Sequence, residues 1–232
     1  MPDEQKSFIL LSEDAGIYKG WEDYYKAESD AAWGHCPPPF LEPSISPVLK
    51  SGMSVADYGA GDGRNSLALA KAGVALTLVD ISAAGLQRAA KRSREIGLQP
   101  LPTLVTASLE QLPLASGQFD FAICIDALPQ IHRPRVALEE MARTLIAGGI
   151  LVTNVFTPRD AAFGQGAALS ARTYLFKNTL FSFWEEAEFR PLLQGIFDVL
   201  DCQAVRWDDP AHGDFRPYPH THDALVFTLR KT

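Results

Sequence analysis

The chain has 232 residues, of which 47% are hydrophobic and 21% are charged, values ordinary for a soluble globular protein with one sizeable core. No apolar stretch approaches the ~20 residues needed to cross a membrane, and the amino terminus lacks the layout of a secretory signal, so we expect a cytoplasmic protein. The formal net charge of −7 and a pI of about 5.2 disfavour a nucleic-acid partner, because such proteins usually carry a basic face.

Apolar patterns and turn residues predict an alternation of strands and helices. A helix over residues 18–33 ends before three prolines at 37–39. The predicted strands are Ser54–Tyr58, Leu76–Asp80, Thr103–Ala107, Phe119–Asp126, Ile150–Phe156, Val199–Trp207 and Ala224–Leu229. The predicted helices are Asn65–Ala72, a helix from the N-cap Ser82 to Ile96, Arg135–Ile146 closed by Gly148 and Gly149, and Phe183–Gln194. Residues 157–182 match no regular pattern, and we expect a lid or an inserted loop there.

The most informative stretch is a glycine-rich loop, VADYGAGDGRNS, between the first predicted strand and the next helix. Glycines let the chain turn tightly and bring backbone close to a ligand. A dinucleotide loop follows G-x-G-x-x-G, whereas here Arg64 occupies the position of the third glycine, and no GK[ST] of a P-loop follows. Asp57 would place negative charge where a pyrophosphate should lie, but it suits a cationic amino group. S-adenosylmethionine carries such a group and no phosphate.

An acidic residue follows the second predicted strand. Asp80 lies 23 residues after Asp57, at a strand tip where a carboxylate can accept both ribose hydroxyls, as it does in dinucleotide folds. Ile81 beside it can pack on an adenine. The alternative is that Asp80 only caps the next helix.

Together these motifs resemble the class I S-adenosylmethionine-dependent methyltransferases. DYGAGDG is similar to their first motif, VDIS to the acidic second-strand motif, SLEQLPLASGQFDFAICIDAL to the adenine-side loop and fourth strand, and LIAGGILVTNVF to the turn into the fifth strand. The resemblance implies a Rossmann-like α/β three-layer sandwich, with a mostly parallel seven-stranded sheet and an antiparallel C-terminal strand. Residues 1–232 would form a single methyltransferase domain, in which residues 1–50 cover the cofactor and the substrate. Within the superfamily, the segment WEDYYKAESDAAWGHCPPPFL is most similar to the tellurite-resistance and thiopurine-type small-molecule methyltransferases.

The resemblance also implies where S-adenosyl-L-methionine binds. Ser108 stands where family members often have an acidic residue, although a serine can still hydrogen-bond to adenine. The amide-methylating motif [DN]PP[YF] is missing after Ile125, which disfavours DNA bases and protein glutamine as acceptors. The implied cofactor residues are Asp57, Gly59, Ala60, Gly61, Gly63 and Asn65 at the methionine end, Asp80 and Ile81 at the ribose, Ser108 and Leu109 along the adenine, Asp126 near the methyl group, and Trp33 as the cofactor-side aromatic residue.

The acceptor side is less defined. The candidates for a catalytic role are His132, His220, His222 and Asp126. His220 and His222 alternate along a predicted strand and would point the same way. With His212 and Asp223 nearby a metal site is an alternative, but surface or lid histidines are the simpler interpretation and we predict no metal ion.

The leading hypothesis is an enzyme that methylates a sulfur, oxygen or nitrogen atom of a small molecule, as a monomer or homodimer. Alternatives are an RNA or protein methyltransferase, a non-catalytic S-adenosylmethionine-binding module, and a nicotinamide-dependent oxidoreductase, which Arg64 and Asp57 disfavour. Trp21, Tyr24 and Tyr25 would close a lid over the site or pack in the core. The three cysteines are widely separated, so neither a disulfide nor a cysteine-based zinc site is expected.

Overall fold

The computed structural model describes residues 19–27, 34, 36–70, 72–212 and 216–232. The strands of its main sheet and of a smaller sheet are β1 (Ser54–Tyr58), β2 (Ala75–Asp80), β3 (Thr103–Thr106), β4 (Phe119–Cys124), β5 (Leu145–Phe156), β6 (Ala167–Ala168), β7 (Thr173–Phe176), β8 (Thr179–Ser182), β9 (Phe197–Asp209) and β10 (His220–Lys231). The main sheet has the order β3-β2-β1-β4-β5-β10-β9. Its pairs are parallel except those of β10 with β5 and β9. The predicted seven-stranded α/β fold is therefore confirmed.

Helices cover both faces of the main sheet. They are α1 (residues 19–27), α2 (Leu41–Ile45), α3 (Ser66–Ala70), α4 (Ala83–Glu95), α5 (Pro134–Thr144) and α6 (Glu186–Leu193), with a 3-10 turn at Leu128–Gln130. Ser82 is the N-cap of α4 as predicted, because its hydroxyl accepts a hydrogen bond from the Gly85 amide. A capping box between Glu185 and Glu188 fixes the start of α6.

Alternation along the buried strands divides the core into two layers. In β4, Phe121 and Ile123 face a cluster that includes Leu69 of α3 and Leu86 of α4. The intervening Ala122 and Cys124 face the opposite cluster, which contains residues of α5 and α6. Such a strand, buried on both faces, requires the continuous apolar run from which it was predicted.

Several element boundaries differ from the sequence predictions. Gly148 and Gly149 were expected to stop α5, yet the helix ends at Thr144, and both glycines lie inside β5, opposite a register shift in β4. The helix expected from Phe183 begins at Glu186 instead, because Phe183 bridges to Phe156 of β5 in extended conformation. Strands β9 and β10 are each several residues longer than predicted.

Residues 157–182 contain structure that the sequence pattern did not predict. Strands β6, β7 and β8 form a separate three-stranded antiparallel sheet. Within the described residues, no helix combines the length and apolar character that a membrane span requires.

The topology places a crevice at one edge of the main sheet. Strands β2 and β4 flank β1, so the chain connections leave β1 and β4 in opposite directions across the sheet. Ligands of open α/β sheets bind outside the carboxyl ends of the strands at such a switch point. The loops after β1, β2 and β4 are therefore the ones that should build a site.

Candidate cofactor and acceptor site

The glycine loop is tied to the neighbouring strand and cannot tolerate side chains. The amides of Gly59 and Ala60 both donate to the Val79 carbonyl, at 2.8 and 3.0 Å. Gly59 and Gly61 have φ angles of +76° and +53°, in the left-handed region that favours glycine. A Cβ on Gly59 would overlap the Ala127 side chain, and one on Gly61 would overlap the Tyr25 hydroxyl. The chain path at the end of β1 therefore requires glycine at both positions.

Asp80 organises this loop from the tip of β2. Its carboxylate accepts the Gly61 amide at 2.7 Å through Oδ2 and the Ser82 amide at 2.8 Å through Oδ1. Burial raises the pKa of Asp80 to about 6, and the side chain lines a cleft. Each carboxylate oxygen has a second lone pair, so Asp80 can still accept hydroxyl groups of a ligand.

Asp57 lies beneath the loop, away from the cleft walls. Its Oδ2 accepts a hydrogen bond from the Ser66 hydroxyl, and its Oδ1 is buried with no hydrogen-bond partner among the described residues. Burial raises the pKa of Asp57 to about 7. An ionised carboxylate buried in this way is costly without a compensating charge, so the position favours a cationic group nearby.

The cleft has an empty volume of about 1090 Å³, including its mouth open to solvent. Gly61 and Gly63 do not line it: Gly61 contacts Tyr25, and Gly63 packs on Ala89 of α4. Trp33 lies outside the described residues. The predicted cofactor residues that do line the cleft are Gly59, Ala60, Asn65, Asp80, Ile81, Ser108, Leu109 and Asp126.

The residues present fit a ligand that carries hydroxyl and ammonium groups. Asn65 lines the cleft, and its buried Oδ1 has no hydrogen-bond partner among the described residues. This oxygen, the carboxylate of Asp80 and the orphaned Oδ1 of Asp57 are all acceptors. Such a set of acceptors suits S-adenosylmethionine and opposes a pyrophosphate.

The other end of the cleft contains a charged network that the sequence did not reveal. Arg64 is buried and pairs with Asp126 at 3.0 Å and with Asp209 at 3.4 Å. Asp126 itself has a φ of +59°, a strained conformation for a non-glycine residue, and exchanges two hydrogen bonds of 2.8 Å with the Asn154 side chain. In the sequence Arg64 only opposes a dinucleotide loop, because its two partners lie 62 and 145 residues away along the chain.

Two of the histidines expected at the surface are buried. His222 is 7% exposed, lines the cleft and stacks on Phe156 with ring centroids 5.2 Å apart. His212 is 3% exposed. The surface interpretation is wrong for both: His222 lies in β10 where it pairs with β9, and His212 is held after β9 by a bridge to Arg216 and a contact with Asp209. His220 is half-buried outside the cleft walls, and burial lowers its pKa to about 4.

His132, the remaining candidate for catalysis, is exposed and does not line the cleft. It follows the 3-10 turn after β4, where the sequence alone could not determine its direction. The structure therefore separates His132 from the other predicted catalytic candidates.

Two chain segments cover the cleft. Trp21 and Tyr25 of α1 are buried on its wall, where the sequence had favoured Trp33. In the second segment, Phe181 of β8 lines the cleft. The segments also meet, because a Cβ on Gly20 would overlap the Asn178 carbonyl in the turn between β7 and β8. Together they form a roof over the site.

Comparisons with known proteins identify the family to which the chain belongs. Residues 56–153 match the family described as a methyltransferase domain. A phosphatidylethanolamine N-methyltransferase of Cereibacter sphaeroides is 30% identical over 164 residues, which cover 70% of this chain and 76% of that protein. A ubiquinone/menaquinone biosynthesis C-methyltransferase of Rhizobium johnstonii is 27% identical over 81% of this chain, but the match covers only 62% of that protein.

A solved structure shows the same fold. It is the 1,6-didemethyltoxoflavin-N1-methyltransferase of Burkholderia thailandensis, with 1,6-didemethyltoxoflavin and S-adenosylhomocysteine bound. The TM-score is 0.62 at 20% identity, and the match covers 100% of this chain and 91% of that one. The chain thus belongs to the class I S-adenosylmethionine-dependent methyltransferases, and it is an enzyme whose cofactor is S-adenosylmethionine.

Proposed function

We propose that the enzyme methylates a sulfur, oxygen or nitrogen atom of a small molecule bound under the roof formed by α1 and β6–β8. The main support for this proposal is that the cleft is covered. Trp21 and Phe181 come from distant segments of the chain, and both line it. An acceptor must fit beneath this roof to reach the methyl group, which favours a small molecule over a folded polymer. The net charge of −7 also disfavours a nucleic-acid acceptor.

In this proposal residues 1–232 act as a single methyltransferase domain, with residues 1–50 and 157–182 as covering segments. When bound, the cofactor supplies a methyl group already activated on a sulfonium. The carboxylate of Asp80 accepts the ribose hydroxyls, and Ile81, Ser108 and Leu109 contact the adenine. Asp57 acts from beneath the glycine loop, where its charge favours the ammonium group without direct contact.

The acceptor would lie between the methyl end of the cofactor and the far wall of the cleft. That wall combines aromatic surfaces from Trp21, Phe156 and Phe181 with the polar side chains of Asp126 and His222. Aromatic walls exclude water and orient a flat or apolar acceptor, and such alignment is the main task of a protein in methyl transfer. The named relatives act on a phospholipid and on quinones, which supports an acceptor with an apolar part. The finer resemblance to tellurite-resistance and thiopurine methyltransferases stays a prediction.

Calorimetric titration with S-adenosylmethionine, S-adenosylhomocysteine and NAD tests the cofactor site, and we expect binding of the first two only. Thiols, phenols, amines, quinols and a phosphatidylethanolamine then serve as acceptors, with S-adenosylhomocysteine release as the readout. Turnover confined to small acceptors supports the proposal. Turnover only with RNA or protein, or tight cofactor binding without any turnover, contradicts it.

A further inference from the structure

Three histidines and one aspartate converge beside the acceptor end of the cleft. One ring nitrogen from each of His212, His220 and His222 lies within 4.8 Å of the others. Asp209 Oδ2 lies 3.2 Å from His212 Nε2 and 3.8 Å from His222 Nε2. Strand register causes the convergence, because His220 pairs with Asp209 where β10 meets β9 and His222 follows two residues later on the same face.

The hydrogen bonds of two histidines fix which nitrogen carries the proton. His222 Nδ1 lies 2.8 Å from Asp160 Oδ2, and His220 Nδ1 lies 3.0 Å from the Tyr218 carbonyl. A carboxylate and a carbonyl only accept, so Nδ1 must donate in both rings. In the neutral rings, both Nε2 atoms therefore present lone pairs.

These two lone-pair atoms face each other. His220 Nε2 and His222 Nε2 are 3.1 Å apart, and without a positive centre between them the contact is repulsive. Two imidazoles bound to one tetrahedral zinc ion at 2.0–2.1 Å have nitrogens about 3.4 Å apart. The observed pair is close to that spacing. The three ligand nitrogens lie within 4.8 Å of one another, so His212 would have to move inward by up to about 1.4 Å to reach the tetrahedral spacing of ~3.4 Å.

The surroundings hold the ligands as metal sites usually do. Asp160 is 3% exposed and also accepts the amides of Ala162 and Asp223, at 2.8 and 3.1 Å, so the carboxylate that orients His222 is itself fixed. A carboxylate behind a ligating histidine sets its tautomer and increases its basicity. The His222 ring also packs on Trp207, with ring centroids 4.8 Å apart.

The charges near the cluster also permit a cation. The cleft wall carries two guanidinium groups here, of Arg64 and Arg216, and both interact with Asp126 and Asp209. With Asp160, three carboxylates outnumber the two guanidinium groups by one. The sequence had suggested Asp223 as an additional ligand, but that carboxylate bonds to Thr157 and Arg159, and Asp209 takes its place.

We propose that His212, His220, His222 and Asp209 bind a divalent transition-metal ion of the zinc type. Since His222 and Asp209 line the cleft, an acceptor atom that binds as a fifth ligand, by the expansion zinc sites can undergo, would reach the ion from the cleft. Its use there rests on the proposed function: an acceptor hydroxyl or thiol bound to the ion loses its proton to solvent and keeps the electron pair for attack. Metal coordination lowers the pKa of a bound protic group in this way.

Cobalt(II) is the probe, because its visible absorption reports four-coordinate nitrogen and oxygen ligands. The full chain, treated with a chelator and dialysed, is titrated with Co²⁺ and then with Zn²⁺, and metal content is measured by plasma emission spectrometry. We expect one Co²⁺ per chain and its displacement by Zn²⁺. His220→Ala, which leaves the cleft wall intact, should weaken binding by more than the ~10–100-fold expected for loss of a supporting partner, and Asp160→Asn should weaken it within that range.

His132→Ala is the matched control, because it removes an exposed histidine outside the cluster and should leave Co²⁺ affinity unchanged. Circular dichroism and S-adenosylmethionine affinity check that each variant is folded. Absence of Co²⁺ uptake by the unmodified chain overturns the metal site. The close contact between His220 and His222 would then be explained by a proton shared between their Nε2 atoms. Equal uptake by His220→Ala and the unmodified chain overturns it as well. Uptake of metal without S-adenosylmethionine binding would instead contradict the proposed function and leave the metal site standing.

Discussion

The two ends of the cleft are built in different ways. The cofactor end uses backbone and short contiguous segments: Gly59, Ala60 and Asn65 of the glycine loop and the tips of β2 and β3. The acceptor end brings together Arg64, Asp126, Asp209 and His222 from four separate segments through side-chain pairs. A site of the first kind needs a fixed local chain path, whereas the second depends on the whole fold. Mutations should therefore affect the two ends differently.

The largest effect is expected from Gly61→Val. The substitution forces a β-branched residue to a φ of +53° and places its Cβ against the Tyr25 hydroxyl. Strain and overpacking together should cost about 3 kcal/mol, so we expect S-adenosylmethionine affinity to fall by ~100-fold or more. Calorimetric titration of the folded variant measures this.

Gly97→Val is the control for Gly61→Val. Gly97 has a similar φ of +68° but open space around it, at the end of α4. It should lower the free energy of unfolding without changing cofactor affinity. Equal affinity losses in the two variants would show that general destabilisation, and not the loop, determines binding.

Asp80→Asn tests the side chain on which the cofactor end depends most. The substitution replaces an ionised acceptor that holds two backbone amides and, by proposal, the ribose hydroxyls. Hydrogen bonds to charged groups contribute ~1.5–3 kcal/mol, which corresponds to a ~10–100-fold loss of affinity. Asp120→Asn is the control, because Asp120 accepts the Ser54 amide at the opposite end of the sheet. If cofactor affinity were unchanged in Asp80→Asn, the proposed role of Asp80 would be wrong.

The same contrast explains how far the sequence could predict the molecule. The strand β1 was predicted to the residue, and the glycine loop was recognised from spacing, because a loop of this type needs glycine wherever φ is positive. Arg64 could not be assigned, since its role depends on Asp126 and Asp209, and neither lies near it in sequence. Likewise, the burial of His222 follows from the register of β10 on β9, which no local pattern determines.

Residues 157–182 escaped prediction for a further reason. Their strands are two to four residues long, at or below the shortest runs from which alternation can be recognised. They are stabilised by packing on the cleft and on α1, as the contact of Gly20 with Asn178 shows. The sequence of α1 or of β6–β8 taken alone does not show that the two segments pack together.

The buried Asp57 predicts a pH-dependent stability of the cofactor-free chain. Its folded pKa of about 7 lies above the ordinary value of 3.8, so the folded state holds a proton that the unfolded state loses. The free energy of unfolding contributed by Asp57 therefore falls as pH rises from about 4 to 7 and is constant above. Asp57→Asn should be more stable than the unmodified chain at pH 8, by ~1–3 kcal/mol, with a smaller gap at pH 5.

The Asp57 prediction requires that Asp57→Asn and the unmodified chain are compared at the same pH, because other groups also titrate. His220, with its pKa lowered to about 4, contributes in the opposite direction, but it is present in both proteins and cancels. Urea unfolding at the two pH values measures the gap. The exposed substitution Asp198→Asn is the control and should give the same small difference at both. A gap for Asp57→Asn that does not change with pH would show that Asp57 is ionised throughout.

The smallest effect is expected at the roof, from Glu22→Gln. Glu22 Oε2 accepts the Ser82 hydroxyl at 2.7 Å and the Ala84 amide at 3.1 Å, which anchors α1 to the start of α4, and these bonds lower the pKa of Glu22. The neutral amide of glutamine is a weaker acceptor than the carboxylate, so the substitution should destabilise the packing of α1 by ~0.5–1.5 kcal/mol. The cofactor dissociation rate should then increase about 2- to 10-fold. Stopped-flow displacement by S-adenosylhomocysteine measures the rate, with the exposed Asp23→Asn on the same helix as control. Unchanged dissociation in Glu22→Gln would mean that α1 packs on the site without controlling access, so that the roof acts through β6–β8 alone.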